Sequence, residues 1–167
     1  MILVLDTMDT NGVDNNGHGS IICKIIRQVN PSADIITYKV TDDFGSSLNS
    51  KLCEGLVYGL SKDVDIINIS LGLDYMTPEV KDMIDLLVSR GTIICCASGN
   101  NRNVYPAMYD KCISVGACDK EGNKTDYTLD YDVLCLGDIE VDGKLYEGTS
   151  YSCARFVGLL SRRGLDG

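Results

Sequence analysis

The chain's one histidine, His18, stands in Gly17-His18-Gly19-Ser20, directly ahead of an amphipathic stretch. Its flanking glycines leave the ring room and put it at a helix start near the mouth of a sheet, where a general base would stand. A lone histidine also serves as an ordinary structural residue. Asp6 closes the apolar run at residues 2–5. It is either a turn residue or a carboxylate that accepts the His18 Nδ1 proton, fixes the tautomer and stabilises the imidazolium. Asp9 and Asp14 compete for that second role from the same loop, but no strand anchors them, and an orienting carboxylate must be held rigidly.

Ser150 lies in Gly148-Thr149-Ser150-Tyr151-Ser152, ahead of a segment that reads as a buried helix. One reading makes Thr149 or Ser150 an N-cap. The other makes Ser150 a nucleophile at a helix N-terminus, where the dipole and free backbone N–H groups favour the negative charge that develops in acyl transfer. Asn100, in Ala97-Ser98-Gly99-Asn100-Asn101, is a turn amide or, beside Ser150, the second donor of a two-donor oxyanion hole.

The elements that must position these residues are legible in the apolar pattern. Strand-length runs occur at residues 2–5, 35–40, 66–69, 92–97, 112–117 and 133–136. They are continuous rather than alternating, which predicts strands buried on both faces. Between them lie helix-period sets: Ile22, Ile25, Ile26 and Val29; Leu48, Leu52, Leu56 and Leu60; Val80, Met83, Ile84 and Leu87. Each makes one apolar face. The third is bounded by Thr77 as N-cap, Pro78 at the first helical position and Gly91 past the end. Strands alternating with helices predict an α/β three-layer sandwich with a mainly parallel sheet. In such sheets ligands bind beyond the carboxyl ends of the strands, which singles out Asp6, Ser70 and Asn100. A hairpin is expected where Asp142-Gly143 separates residues 139–141 from 145–146. With 167 residues, 44% of them hydrophobic, one domain over residues 1–167 is expected.

Composition excludes several partners. A net charge of −9 leaves no basic patch for nucleic acid beyond Arg162-Arg163. No apolar stretch is long enough to span a bilayer, and Met1 leads into residues 2–5 with no basic or cleavable segment, so a cytoplasmic location is expected. Reduced thiols follow for the eight cysteines, of which Cys23, Cys95, Cys96 and Cys153 lie in apolar segments. One histidine and no Cys-x-x-Cys leave little for zinc. No cofactor is expected. The Asp42-Asp43 and Asp130-Tyr131-Asp132 clusters lack a dense ligand loop and read as solvated surface rather than calcium sites. A nucleotide-binding α/β domain would need a phosphate loop between strand and helix, which is missing.

Asp6, Gly17-His18-Gly19-Ser20, Asn68-Ile69-Ser70-Leu71-Gly72, Ala97-Ser98-Gly99-Asn100 and Gly148-Thr149-Ser150 follow one another in the order and spacing type of the subtilisin-like serine peptidases. Tyr105-Pro106-Ala107 and Ile113-Ser114-Val115-Gly116-Ala117 extend the match from Leu3 to about Gly158. The chain resembles that family. The resemblance implies that Ser150 attacks a peptide carbonyl, His18 is general base and acid, Asp6 orients His18, and Asn100 binds the oxyanion. It also implies that Ser70-Leu71-Gly72 pairs with extended substrate and, with Ala97-Ser98-Gly99, lines the pocket for the residue before the cut.

The chain departs from the family pattern at Met8, where glycine is usual, and after Ser150. There the family reads Gly-Thr-Ser-Met-Ala-Ser-Pro-His and this chain has Tyr151, Ser152, Cys153, Ala154 and Arg155. Without the proline, a shifted helix start would favour an amine over water as acyl acceptor, giving a transpeptidase or cyclase variant. The chain is short for the family, and no prodomain precedes Leu3. An unguarded peptidase is then expected to act on a narrow peptide or protein substrate, as in precursor-peptide maturation, or to be restrained by a regulatory partner or oligomer. A pseudopeptidase that binds extended peptides without cutting is the alternative from another class.

Overall fold

The computed structural model describes residues 1–163. The domain expected over residues 1–167 therefore includes four residues, 164–167, outside the described residues. The elements run β1 (Ile2–Asp6), α1 (His18–Val29), β2 (Ile35–Lys39), α2 (Asn49–Lys62), β3 (Ile66–Ile69), α3 (Pro78–Ser89), β4 (Ile93–Ala97), β5 (Ile113–Cys118), β6 (Val133–Leu136), β7 (Asp138–Val141), β8 (Lys144–Glu147) and α4 (Thr149–Arg162). β1 to β6 form one parallel sheet in the order β2-β1-β3-β4-β5-β6.

Residue alternation divides each central strand between two cores. Leu3, Leu5, Ile67, Ile69, Ile94 and Cys96 face Leu52 and Leu56 of α2 and Val80, Ile84 and Leu87 of α3. Ile2, Val4, Ile66, Cys95, Ala97 and Val115 face Ile22, Ile25 and Ile26 of α1 and Cys153, Ala154 and Val157 of α4. The molecule is thus a three-layer α/β sandwich, and each fully buried Leu or Ile contributes about 2 kcal/mol. β1 and β3 are buried at every position, as their continuous apolar runs predict. β2 is not: it is one of the two edge strands, with β6 at the other end, and is half-buried throughout, having a strand neighbour on one side only among the described residues.

Two helix details differ from the sequence pattern. Leu48 is not part of the α2 stripe; it is the N-cap and 67% exposed. Gly55 and Gly59 complete the buried face instead, since a Cβ at Gly55 would lie 2.6 Å from Val40 Cγ1 and one at Gly59 2.9 Å from Leu3 Cδ2. The missing side chains let α2 lie close on β1. α3 begins as expected, with Thr77 as N-cap and Pro78 first, yet the Thr77 hydroxyl makes no capping bond. The Asp142-Gly143 hairpin forms, with φ of 51° and 80° at its two corner residues, the left-handed pair of a type I′ turn. Among the described residues no helix is long and apolar enough to cross a membrane.

The chain order sets the location of the site. From β1 the chain crosses by α1 to β2 on one side, then returns by α2 to β3 on the other, so the winding direction reverses between β1 and β3. A crevice opens at the carboxyl ends of strands flanking such a reversal. Asp6 ends β1, and Ser70 follows β3.

Candidate active site

Asp6 is 2% exposed at the end of β1. Its Oδ1 accepts from Thr7 N at 2.8 Å and from His18 Nδ1 at 2.7 Å. An ionised carboxylate only accepts, so this contact holds the His18 proton on Nδ1 and leaves Nε2 with a free lone pair. His18 is the first residue of α1, and the left-handed Gly17 (φ 95°) turns the chain into that helix. Burial pulls the His18 pKa down, but the hydrogen bond and charge of Asp6, with a further contribution from Asp14, more than offset this and raise it above the ordinary 6.5.

Ser150 is the second residue of α4. Gly148 is the N-cap, so neither Thr149 nor Ser150 fills that position, and both are free for other contacts. The Ser150 Oγ donates to the Ser70 carbonyl at 3.5 Å, while Ser70 Oγ donates to the Ser150 carbonyl at 3.3 Å. Asn68 Nδ2 steadies the Ser70 hydroxyl at 3.0 Å. The next residue, Tyr151, sets its ring 5.8 Å from the His18 ring, which brings the starts of α1 and α4 together. Among the described residues Ser150 and His18 share no hydrogen bond.

Asn100 lies in the turn after β4. Its Oδ1 accepts from Thr149 N and from Thr149 Oγ1, both at 3.1 Å. Two donors on one oxygen fix the amide's orientation and leave its NH₂ for another acceptor. Gly99 N donates to the same Thr149 hydroxyl at 3.3 Å. Ser70 and Leu71 are buried just past β3, and Ala97 and Ser98 are buried at the end of β4 and just past it. Gly72 is required by a close approach, because a Cβ there would stand 2.7 Å from Val104 Cγ1. The ends of β1, β3 and β4 and the starts of α1 and α4 thus bring all the singled-out residues to one corner.

The sequence names Thr149, Tyr151 and Asp14 but does not give their roles here. Thr149 carries Asn100, and Tyr151 packs on His18. Asp14 has no strand beneath it, yet its carboxylate takes four hydrogen bonds: from Thr7 Oγ1, Gly17 N, Ser20 N and Ser20 Oγ, at 2.7 to 2.8 Å. Partial burial works to raise its pKa, but these bonds outweigh it and hold the group at about 2. The signal was present: an acceptor side chain three residues before the Gly17 amide has the reach of a helix cap.

Two cavities of about 710 and 660 Å³ lie along β2 and α2 rather than at this corner. Chemistry places the site better than volume does, because those cavities hold no paired base and nucleophile. The acidic clusters are engaged in turns. Asp42 caps Phe44 N and Ser46 N, Asp43 meets Lys39 and Asn15, Asp130 accepts from Asn103, and Asp132 accepts from Ser114 N. Among the described residues no three His, Cys, Asp or Glu side chains gather as a metal site.

The sequence pattern that defines the Subtilase family matches residues 6–156. The chain belongs to the subtilase family. Among its curated relatives, Subtilisin E of Bacillus subtilis (strain 168) is 28% identical over 171 residues, covering 87% of this chain and 45% of the relative. Subtilisin Savinase of Lederbergia lenta is 29% identical over 154 residues, covering 83% and 56% respectively. This subtilase chain therefore spans about half the length of the curated relatives it matches. The fold agrees with the crystal structure of a cold adapted subtilisin-like serine proteinase, at a TM-score of 0.86 and 20% identity, over 98% of this chain and 75% of that one.

Proposed function

We propose that this subtilase is a serine endopeptidase in which Asp6, His18 and Ser150 act as the triad and Asn100 supplies an oxyanion donor. The observation that supports this reading is the 2.7 Å Asp6–His18 pair at the start of α1, with the ring of Tyr151, the residue after Ser150 at the start of α4, 5.8 Å from the His18 ring. Ser150 Oγ turns from the Ser70 carbonyl to His18 Nε2 and gives up its proton as it attacks the scissile carbonyl. Asp6 stabilises the imidazolium that forms. The oxyanion takes the Asn100 NH₂ and the Ser150 amide, a pair of donors whose removal one at a time costs roughly 10²- to 10³-fold. The imidazolium then protonates the leaving amine, and water resolves the acyl-enzyme by the same route. Ser70-Leu71-Gly72 pairs with the extended peptide, and Ala97-Ser98-Gly99 walls the pocket for the residue before the cut.

The substrate we propose is a defined peptide or protein met in the cytoplasm, with activity restrained by a partner or by self-association. Eight unpaired cysteines fit a reducing compartment. No metal or other cofactor enters the chemistry proposed.

A second reading, a peptide binder that does not cut, is favoured by one observation: Ser150 Oγ is bonded to Ser70 O instead of His18. Digestion of an unfolded protein followed by mass spectrometry separates the two. The peptidase reading predicts new termini that vanish in Ser150→Ala while peptide binding persists; binding without new termini in the wild type supports the second. Added amine nucleophile tests the cyclase variant, which predicts amide products beside the hydrolysed ones.

A further inference from the structure

Nothing in the family roles above employs Asp14, although no other carboxylate near His18 has every oxygen lone-pair direction so fully used. Its Oδ1 accepts from Thr7 Oγ1 at 2.7 Å and Gly17 N at 2.8 Å; its Oδ2 accepts from Ser20 N at 2.8 Å and Ser20 Oγ at 2.7 Å. The Thr7 hydroxyl then receives Gly19 N at 2.9 Å, and Thr7 N donates to Asp6 Oδ1, the atom that also holds His18. Amides on both sides of His18, at Gly17 and Gly19, are therefore tied to the residue that follows Asp6. A Cβ at Gly19 would stand 3.0 Å from Met8 N, so the first turn of α1 lies directly on the chain leaving β1.

We propose that Asp14 is a positioning residue: through Thr7, Gly17 and Ser20 it fastens the first turn of α1 to the end of β1 and so sets the His18 imidazole against Asp6. The role rests on the reading of His18 as general base. Asp14 touches no reacting atom. A loop of nine residues separates the two ends it joins, from Met8 to Asn16, and without a brace the His18 ring would sample positions off the Asp6 oxygen. An error of 1 Å in such a group costs roughly 10²-fold in rate.

Asp14 also bears on the charge of His18, since its carboxylate favours the imidazolium alongside Asp6. The other titratable groups nearby are Tyr151 from α4, whose ring packs on His18, and Cys23, five residues along α1, which feels Asp6 and Asp14 and is uncharged because burial raises its pKa to about 11. Across the loop, Lys39 and Asp43 both feel the Asp14 charge and pair with each other.

Because His18 is the only histidine, its imidazole resonances need no assignment, and titration by NMR reads this one group in the full chain. Asp14→Asn keeps the shape and removes the charge and two acceptor directions. Expected are a His18 titration at lower pH than in the wild type and a kcat lower by roughly 10- to 100-fold with KM within about twofold. A folded Asp14→Asn protein with lower thermal stability but unchanged titration and kcat would make Asp14 purely structural and overturn the proposal. Should Asp14→Asn not fold by circular dichroism, Thr7→Val decides: it keeps the Asp14 charge and cuts the link to Gly19, so kcat must fall while the His18 titration stays near wild type. Full kcat in Thr7→Val overturns the proposal equally. If the wild type shows no turnover, the peptidase reading fails by itself, and the His18 titration in Asp14→Asn still tests the link to His18.

Discussion

Gly99 is where local backbone geometry and the proposed chemistry meet most tightly. Its φ is 104°, in the region that side chains rarely enter, and a Cβ there would lie 2.2 Å from the Arg102 carbonyl oxygen. An approach below 3.0 Å is not tolerated, so in Gly99→Ala the 99–102 turn must open by at least about 0.8 Å. The backbone cost is about 1–2 kcal/mol and the displacement adds about 1–3, for a total loss of roughly 2–5 kcal/mol. The moved atoms are not remote. Gly99 N bonds to Thr149 Oγ1, and Thr149 orients Asn100, so the proposed oxyanion donor shifts with the turn. Peptidase activity should fall by about 100-fold. Gly91→Ala is the matched control: its φ is 93°, but no atom lies within 4 Å of the added Cβ, so it should lose only the backbone part, about 1–2 kcal/mol, and keep its activity. Urea unfolding and peptide turnover of the two variants, side by side, give the answer. A Gly99→Ala protein as stable and active as Gly91→Ala refutes the reasoning.

Three further outcomes are expected. Since the His18 pKa is raised above 6.5, the Asp6–His18 pair contributes stability that is complete below 6.5 and is lost as pH climbs through the folded value; kcat/KM rises through that same window as the base becomes neutral, so urea midpoint and rate should move in opposite directions, and parallel movement contradicts the pairing. Asp14, lowered from 3.8 to about 2, contributes stability at neutral pH that is present above 3.8 and fades as pH falls through about 2; acid unfolding of Asp14→Asn should show no such loss, and a slope equal to the wild type's counts against the four-bond arrangement. In the native protein Ellman's reagent should reach only Cys53 and Cys118, which are partly exposed, because burial raises Cys23 to about 11 and Cys95 to about 12; all eight should react in denaturant, and rapid native labelling of Cys95 would place that strand nearer the surface than described.

Much of the fold was legible because burial on both faces makes a strand a continuous apolar word. Residues 66–69 and 133–136 coincide with β3 and β6, and Asp142-Gly143 announced its hairpin. What the pattern could not convey is which strands lie outermost: residues 35–40 and 133–136 read like the central runs, yet β2 and β6 each have a neighbour on one side only among the described residues. Leu48 misled for a related reason, since spacing alone does not register that Gly55 and Gly59 do the packing by being small. At the site, types and order singled out Asp6, His18, Asn100 and Ser150 as candidates, while the bonds made by Asp14 and Thr149, both visible as residues, did not follow from spacing. Asp14 and Thr149 act through hydrogen bonds across loops, and no periodicity records those.

The most direct test of the proposed chemistry is a fluorophosphonate, which reacts with a serine only where a base and an oxyanion hole activate it. Intact-mass spectrometry of the labelled chain should show one adduct, peptide mapping should place it on Ser150, and Ser150→Ala and His18→Ala should remain unmodified. A wild-type protein that is folded by circular dichroism and takes up no label contradicts the assignment of Asp6, His18 and Ser150 as a working triad.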